Sequence, residues 1–102
     1  FELCAMGSKV TAEEAVTLGL VNRAVPADQL DETVQRYTNY FAAAPTKAIG
    51  LIKKMLNKSA HATLDEMLEY EAYCQEIAGC SDDYREGTTA FLEKRKPRFT
   101  GK

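Results

Sequence analysis

The sequence is poor in the residues that usually build metal and redox sites. It has one histidine and three cysteines (Cys4, Cys74 and Cys80), and no two cysteines stand in a C-x-x-C pair. This set cannot complete the common zinc sites, which draw four ligands from closely spaced cysteines and histidines. The odd cysteine count favours reduced, buried thiols and therefore a reducing compartment, the cytoplasm or an organelle matrix. We expect no metal site.

Long apolar runs and a strong net charge are also missing. No stretch reaches about 18 apolar residues, the length of a membrane span. The 102 residues carry a formal net charge of −2, so we expect neither a membrane nor a nucleic acid as partner. No signal peptide is visible. The chain opens on Phe1 inside the apolar stretch FELCAM, which suggests a cut from a longer protein.

Residue patterns typical of a catalytic site are absent as well. His61 lies in Ser-Ala-His-Ala-Thr, with no nucleophile motif and no orienting acid beside it. The acidic pairs Glu13-Glu14 and Asp82-Asp83 are explained by helix N-termini, where the helix dipole favours negative charge. No glycine-rich loop that could cradle a phosphate is found. The sequence therefore assigns no catalytic residue to this chain.

What the sequence does contain is the periodicity of helices. Thr11 and Thr63 each begin a capping box, with Glu three residues on, while Asp28 and Ser81 are predicted to cap two more helices. Pro45 suits the start of another helix. The predicted class is mainly α, with about five helices at 11–19, 28–44, 46–58, 63–79 and 81–96 and one short extended segment, a strand or a link, at 20–25.

An apolar stripe runs along the second predicted helix. Leu30, Val34, Tyr37 and Phe41 follow one another at spacings of four, three and four residues. A stripe this narrow is typical of a helix that packs against a partner helix. We therefore expect these side chains to form exposed apolar surface in the chain by itself.

The C-terminal tail combines an aromatic ring with positive charge. Phe91 and Lys94 stand three apart on the predicted last helix, so they are expected on one face. The tail carries five cations, Lys94, Arg95, Lys96, Arg98 and Lys102. Three interpretations are open: a solvated terminus, a small nucleic-acid patch, or a place where a phosphorylated adenosine stacks on the ring and meets the cations.

Three segments in order resemble one family, the enoyl-CoA hydratase/isomerase or crotonase family. The stretch 7–26 is similar to its "TG-x-x-I-x-A-x-E-A…GLVN-x-VVP" segment, with Ser8 and Ala24 as small departures. Ala44-Pro45 and the lysine-containing helix after it resemble its "GP…K" helix. The stretch 83–97 is similar to its "D-x-x-E-G…AF-x-EKR-x-P" ending.

This resemblance implies the C-terminal helical region of the crotonase fold. Residues 1–26 would be the end of its spiral core, and 27–102 a helical domain that joins subunits into trimers or hexamers and helps to close the coenzyme A site. Phe91 and Lys94 match positions that reach the adenosine-phosphate end of CoA, often from a neighbouring subunit. The family's oxyanion donors and catalytic acids lie upstream of Phe1.

The resemblance thus implies an acyl-CoA-processing enzyme as the parent protein, with a CoA thioester as substrate and no separate cofactor. Hydration of a 2-enoyl-CoA is the first expectation, and double-bond isomerisation the alternative. A non-catalytic helical interaction module is the rival from another class. Hydrolase activity and acyl-chain length are left open by this chain.

Overall fold

The computed structural model describes all residues, 1–102, and they form helices without a strand. The predicted mainly-α class is therefore confirmed. There are six α-helices and one 3₁₀ turn: α1 Glu2–Met6, α2 Ala12–Thr17, the turn Ala27–Gln29, α3 Leu30–Ala42, α4 Thr46–Ser59, α5 Leu64–Gly79 and α6 Asp82–Leu92.

Both predicted capping boxes are present. The Thr11 hydroxyl accepts from the Glu14 backbone N–H at 3.2 Å, and Glu14 Oε2 accepts from the Thr11 N–H at 2.9 Å. Thr63 and Glu66 repeat the arrangement at the start of α5. Each box satisfies N–H groups that a helix start would otherwise leave unpaired. The pKa of the Glu14 carboxyl is lowered by these bonds, from the Thr11 backbone and then its hydroxyl.

Two details of the predicted helices were wrong. α1 was not predicted, because a segment of five residues is too short to show a period; it ends where Gly7 turns left-handed at φ 62°. Asp28 does not cap a helix, since it lies within the 3₁₀ turn. In this turn the Gln29 N–H bonds to Pro26 O at 3.0 Å. The segment 20–25, predicted as a strand or a link, is a link.

The chain forms two compact units, Phe1–Gln35 and Arg36–Lys102. Within the second unit, α5 packs against both α4 and α6. The division falls inside α3, whereas the predicted domain boundary after residue 26 stays a prediction. None of the helices combines the length and apolar character that crossing a membrane requires.

Very little apolar surface is buried. The only buried apolar residues are Ala44, Cys74 and Ala90. The predicted apolar stripe of α3 is exposed, with Leu30 at 52% and Phe41 at 48% of full exposure. The expectation of buried thiols holds for Cys74 but was wrong for Cys4 and Cys80, which are exposed.

Candidate functional site

Phe91 is the second-last residue of α6, and its side chain is 82% exposed. It lies at an apolar groove of about 550 Å³ within the second unit. Pro45 at the start of α4, Tyr84 on α6 and Phe99 of the tail line the same groove. An exposed aromatic ring beside an apolar groove can stack against a flat ligand ring.

Lys94 does not lie on the helix with Phe91, so the prediction that they share a helical face was wrong. α6 ends at Leu92, and Lys94 takes a left-handed conformation with φ 54°. Its N–H bonds to Phe91 O at 3.2 Å, and the Arg95 N–H bonds to Ala90 O at 3.0 Å. This pair of bonds is the Schellman motif that closes a helix C-terminus. Lys94 is therefore joined to Phe91 by a backbone hydrogen bond, and the two residues do not share a face of the helix.

The same cap occurs at the end of α2, with glycine at the equivalent position. The Gly19 N–H bonds to Val16 O at 3.0 Å, and the Leu20 N–H bonds to Ala15 O at 2.8 Å. Gly19 has φ 72°, a region that glycine enters without penalty. For a residue with a Cβ, the left-handed conformation costs roughly 1–2 kcal/mol of conformational free energy. Lys94 is the only non-glycine residue of the chain with positive φ, so other contacts must stabilise its conformation.

Those contacts come from the residues that follow, 95–102, which we call the C-terminal strap. Glu86 of α6 accepts from Arg95 Nη1 at 2.6 Å and from Arg95 Nη2 at 2.9 Å, a two-point ion pair. Glu86 Oε1 also accepts from the Arg98 backbone N–H at 2.7 Å. The Arg95 side-chain bond, followed by the Arg98 N–H bond, lowers the pKa of the Glu86 carboxyl to about 2.

Asp83, one turn before Glu86, fixes the end of the strap. Its side chain is buried, with 4% exposure. One carboxylate oxygen accepts from the Thr100 N–H at 2.6 Å, and the other accepts from the Gly101 N–H at 2.9 Å. The Asp83 backbone N–H donates to Lys102 O at 3.2 Å. Two carboxylates on one face of α6 thus hold both ends of the strap.

Two glycines allow the strap to lie close. The Phe99 ring packs over Gly87, where an added Cβ would lie 3.4 Å from Phe99 Cε1. Gly101 has φ 78° and lies against Thr46 Oγ1, where a Cβ would collide with that hydroxyl. Sequence reasoning missed the roles of Asp83, Glu86 and Phe99. The available signal was the acidic pair three residues apart followed by glycine, which places both carboxylates and a gap on one helix face.

The structure also reduces the positive charge available at the tail. Arg95 is committed to Glu86 and to Glu93, whose Oε2 lies 2.6 Å from Arg95 Nε. The other four cations remain exposed: Lys94, Lys96, Arg98 and Lys102. Among these cations, Lys94 is the one whose backbone is bonded directly to Phe91, through its N–H and Phe91 O.

The remaining candidates gather into no further site. His61 is exposed in the turn before α5. No three histidine, cysteine or acidic side chains are grouped so that they could hold a metal ion. The four lysines of α4 are exposed, and the ammonium of one of them, Lys58, lies 4.4 Å from the centre of the Tyr70 ring.

The whole chain, including this C-terminal site, matches one family of enzymes. The family model for enoyl-CoA hydratase/isomerase matches residues 1–102, and the chain belongs to this family. A 1,2-epoxyphenylacetyl-CoA isomerase of Escherichia coli K12 is 42% identical over 100 residues, covering 98% of this chain and 38% of that protein.

Other similar proteins have different activities. A methylmalonyl-CoA decarboxylase of Escherichia coli K12 is 32% identical over 102 residues, covering 98% of this chain and 39% of that protein. The crystal structure of an enoyl-CoA hydratase from Polaromonas sp. JS666 superposes with a TM-score of 0.89 at 28% identity, covering 97% of this chain and 38% of that one. The chain thus spans about two-fifths of the length of the curated relatives it matches.

Proposed function

We propose that the native protein containing this chain acts on acyl-CoA thioesters, as an enoyl-CoA hydratase that adds water to a 2-enoyl-CoA. The observation that carries the proposal is the match of all 102 residues to the hydratase/isomerase family. Within that protein, this chain supplies part of the coenzyme A site and contributes no acid, base or oxyanion donor to the chemistry.

The part of CoA that this chain binds is the nucleotide end. The exposed Phe91 ring stacks on the adenine at the apolar groove, and the Lys94 ammonium meets a phosphate. Their backbones are joined by the 3.2 Å hydrogen bond from Lys94 to Phe91. One ligand with a flat base and several phosphates can therefore contact both side chains at once.

The second candidate reaction is isomerisation of a double bond. It is supported by the description of the matching family, which includes isomerases of enoyl-CoA beside the hydratases. Incubation of the native protein with a 2-enoyl-CoA and product analysis separate the two reactions, since hydration adds a water and isomerisation does not change the mass. Failure to turn over any CoA thioester would instead favour the non-catalytic helical module.

The test of the CoA site is Lys94→Ala in the native protein. Loss of an exposed phosphate contact costs about 1–2 kcal/mol, hence roughly tenfold in kcat/KM for a CoA ester. Part of this loss is expected in kcat, because binding energy at a remote group also stabilises the transition state. A pantetheine thioester lacks the nucleotide, so its kcat/KM should change less than twofold.

A lysine on α4 provides the matched control. Lys53→Ala removes an exposed cation that does not line the groove at Phe91 and should leave the kcat/KM of both substrates unaffected. Equal damage by Lys94→Ala to the CoA ester and the pantetheine ester would show that Lys94 supports the fold or the assembly. The assignment of Phe91 and Lys94 to the CoA site would then fall.

We also propose that the native protein is a homo-oligomer, either a trimer or a hexamer made of two trimers. The exposed apolar stripe of α3 supports this, because such surface is usually covered in an assembled protein. Sedimentation equilibrium of the native protein tests it. A location in the cytoplasm or an organelle matrix stays a prediction.

A further inference from the structure

The left-handed backbone conformation of Lys94 is strained, so contacts with other residues are needed to maintain it. A strained residue of this kind persists only where the surrounding structure over-determines it. The Schellman bonds alone close α2 equally well, but there the residue is Gly19. At the end of α6 the additional restraint must come from the chain that leaves Lys94.

Glu86 supplies that restraint by holding two points of the chain that follows Lys94, Arg95 and Arg98. Its two-point pair with Arg95 fixes the residue directly after Lys94. Its bond from the Arg98 N–H fixes the backbone four residues after Lys94. One carboxylate, 25% exposed, thus sets the direction in which the chain leaves the helix.

Most of the N–H donors of Arg95 are already occupied within the chain, which leaves it little capacity to bind a phosphate. Its Nε donates to Glu93 at 2.6 Å, and its Nη1 and Nη2 donate to Glu86. The Arg95 guanidinium, bonded to two carboxylates, therefore has a structural role. The exposed ammonium of Lys94, the preceding residue, remains available for a ligand. The strap also carries Phe99, which lines the groove beside Phe91.

We propose that Glu86 is a positioning residue for the nucleotide end of coenzyme A. By holding Arg95 and the Arg98 backbone, it keeps Lys94 in a binding geometry before the ligand arrives, while α6 itself places Phe91. A preformed site binds more tightly because less side-chain and loop freedom is lost on binding. This inference rests on the proposed function, since it assumes that Lys94 meets a CoA phosphate.

Binding of non-reacting thioesters to the native protein gives the test. Butyryl-CoA and S-butyryl pantetheine are titrated into the wild type and into Glu86→Gln, Lys94→Ala and the double variant. Glu86→Gln should weaken butyryl-CoA binding about fivefold, the size of the ordering cost of one or two side chains. S-butyryl pantetheine binding should change less than twofold.

The double variant separates positioning from a general structural role. If Glu86 acts through Lys94, adding Glu86→Gln to Lys94→Ala should weaken butyryl-CoA binding by less than twofold more. Glu93→Gln is the matched control: it removes another carboxylate from Arg95 but leaves the Arg98 backbone bond in place, and should cost less than twofold. If Glu86→Gln does not fold, Arg95→Gln removes the same pair from the other side and should give the same selective loss.

Each outcome decides between the two proposals. If Lys94→Ala weakens butyryl-CoA selectively but Glu86→Gln has no effect, affects both thioesters equally or adds fully to Lys94→Ala, the positioning role is overturned and the CoA site stands. If Lys94→Ala itself does not discriminate between the thioesters, the CoA site falls and the positioning role falls with it.

Discussion

Asp83 shows how one buried carboxylate can organise a chain terminus. It lies in the first turn of α6, where the helix dipole favours a negative charge. The N–H groups of Thr100 and Gly101 replace the water that its oxygens lose on burial. Helix start and tail docking therefore depend on the same side chain.

Asp83→Asn should destabilise the native protein by about 1–3 kcal/mol. The amide nitrogen of Asn is a donor and would face a backbone N–H, leaving two buried donors unpaired. Chemical denaturation of the native protein measures the change.

The matched control for Asp83→Asn is Asp82→Asn. Asp82 has an exposed side chain that reaches Arg85 only at 3.4 Å, a surface pair worth at most about 1 kcal/mol. Equal losses for the two variants would mean that the buried hydrogen bonds of Asp83 contribute nothing beyond its charge at the helix start.

Among the structural elements, the strap depends on the ionised form of Glu86. The pKa of this carboxyl falls from its ordinary 4.5 to about 2, mainly through its bond from Arg95. The folded state binds the proton less readily than the unfolded state does. The stabilisation is therefore complete above about pH 4.5 and is lost as the pH falls from there to about 2.

The strap should accordingly stay docked at pH 4 and release near pH 2. NMR titration of the Glu86 carboxyl carbon, together with the amide shift of Arg98, measures this. In Arg95→Gln the Glu86 titration should move up toward 4.5, because its principal hydrogen-bond donor is lost. A titration unchanged in Arg95→Gln would contradict the ion pair as the main cause.

At the scale of the whole molecule, the helical content is high but very little apolar surface is buried. About 67% of residues are helical, yet only three apolar residues are buried. Twenty large apolar side chains are exposed, among them Leu30, Leu56 and Leu92. Soluble proteins seldom leave so much apolar surface uncovered, because it promotes association.

The isolated 102-residue chain should therefore be helical, bind a hydrophobic dye and self-associate. Circular dichroism, dye fluorescence and sedimentation velocity measure the three properties. Leu30→Gln/Phe41→Gln should lower dye binding while leaving the helical signal nearly unchanged, because both side chains are exposed on α3. A compact, dye-free monomer would contradict this prediction, and a sheet-rich spectrum would contradict the fold. With crotonyl-CoA, the chain should match a buffer blank.

The sequence by itself determined most of the helices and their starts. Thr11, Thr63 and Ser81 cap helices as predicted, because a capping hydroxyl bonds to an N–H within its own turn. Such contacts span three residues and can be read from the order of residue types. The family could also be read from the sequence, because its motifs are stretches of adjacent residues.

Only the tertiary structure decided the arrangement of the tail. The bonds that Asp83 accepts from the Thr100 N–H and that Glu86 accepts from the Arg98 N–H join residues 17 and 12 positions apart. No helical or strand period links such residues, so periodicity predicted a helix running to 96 and placed Lys94 on it. The left-handed turn at Lys94 follows from these distant contacts, which offset a local backbone cost that the sequence alone would have argued against.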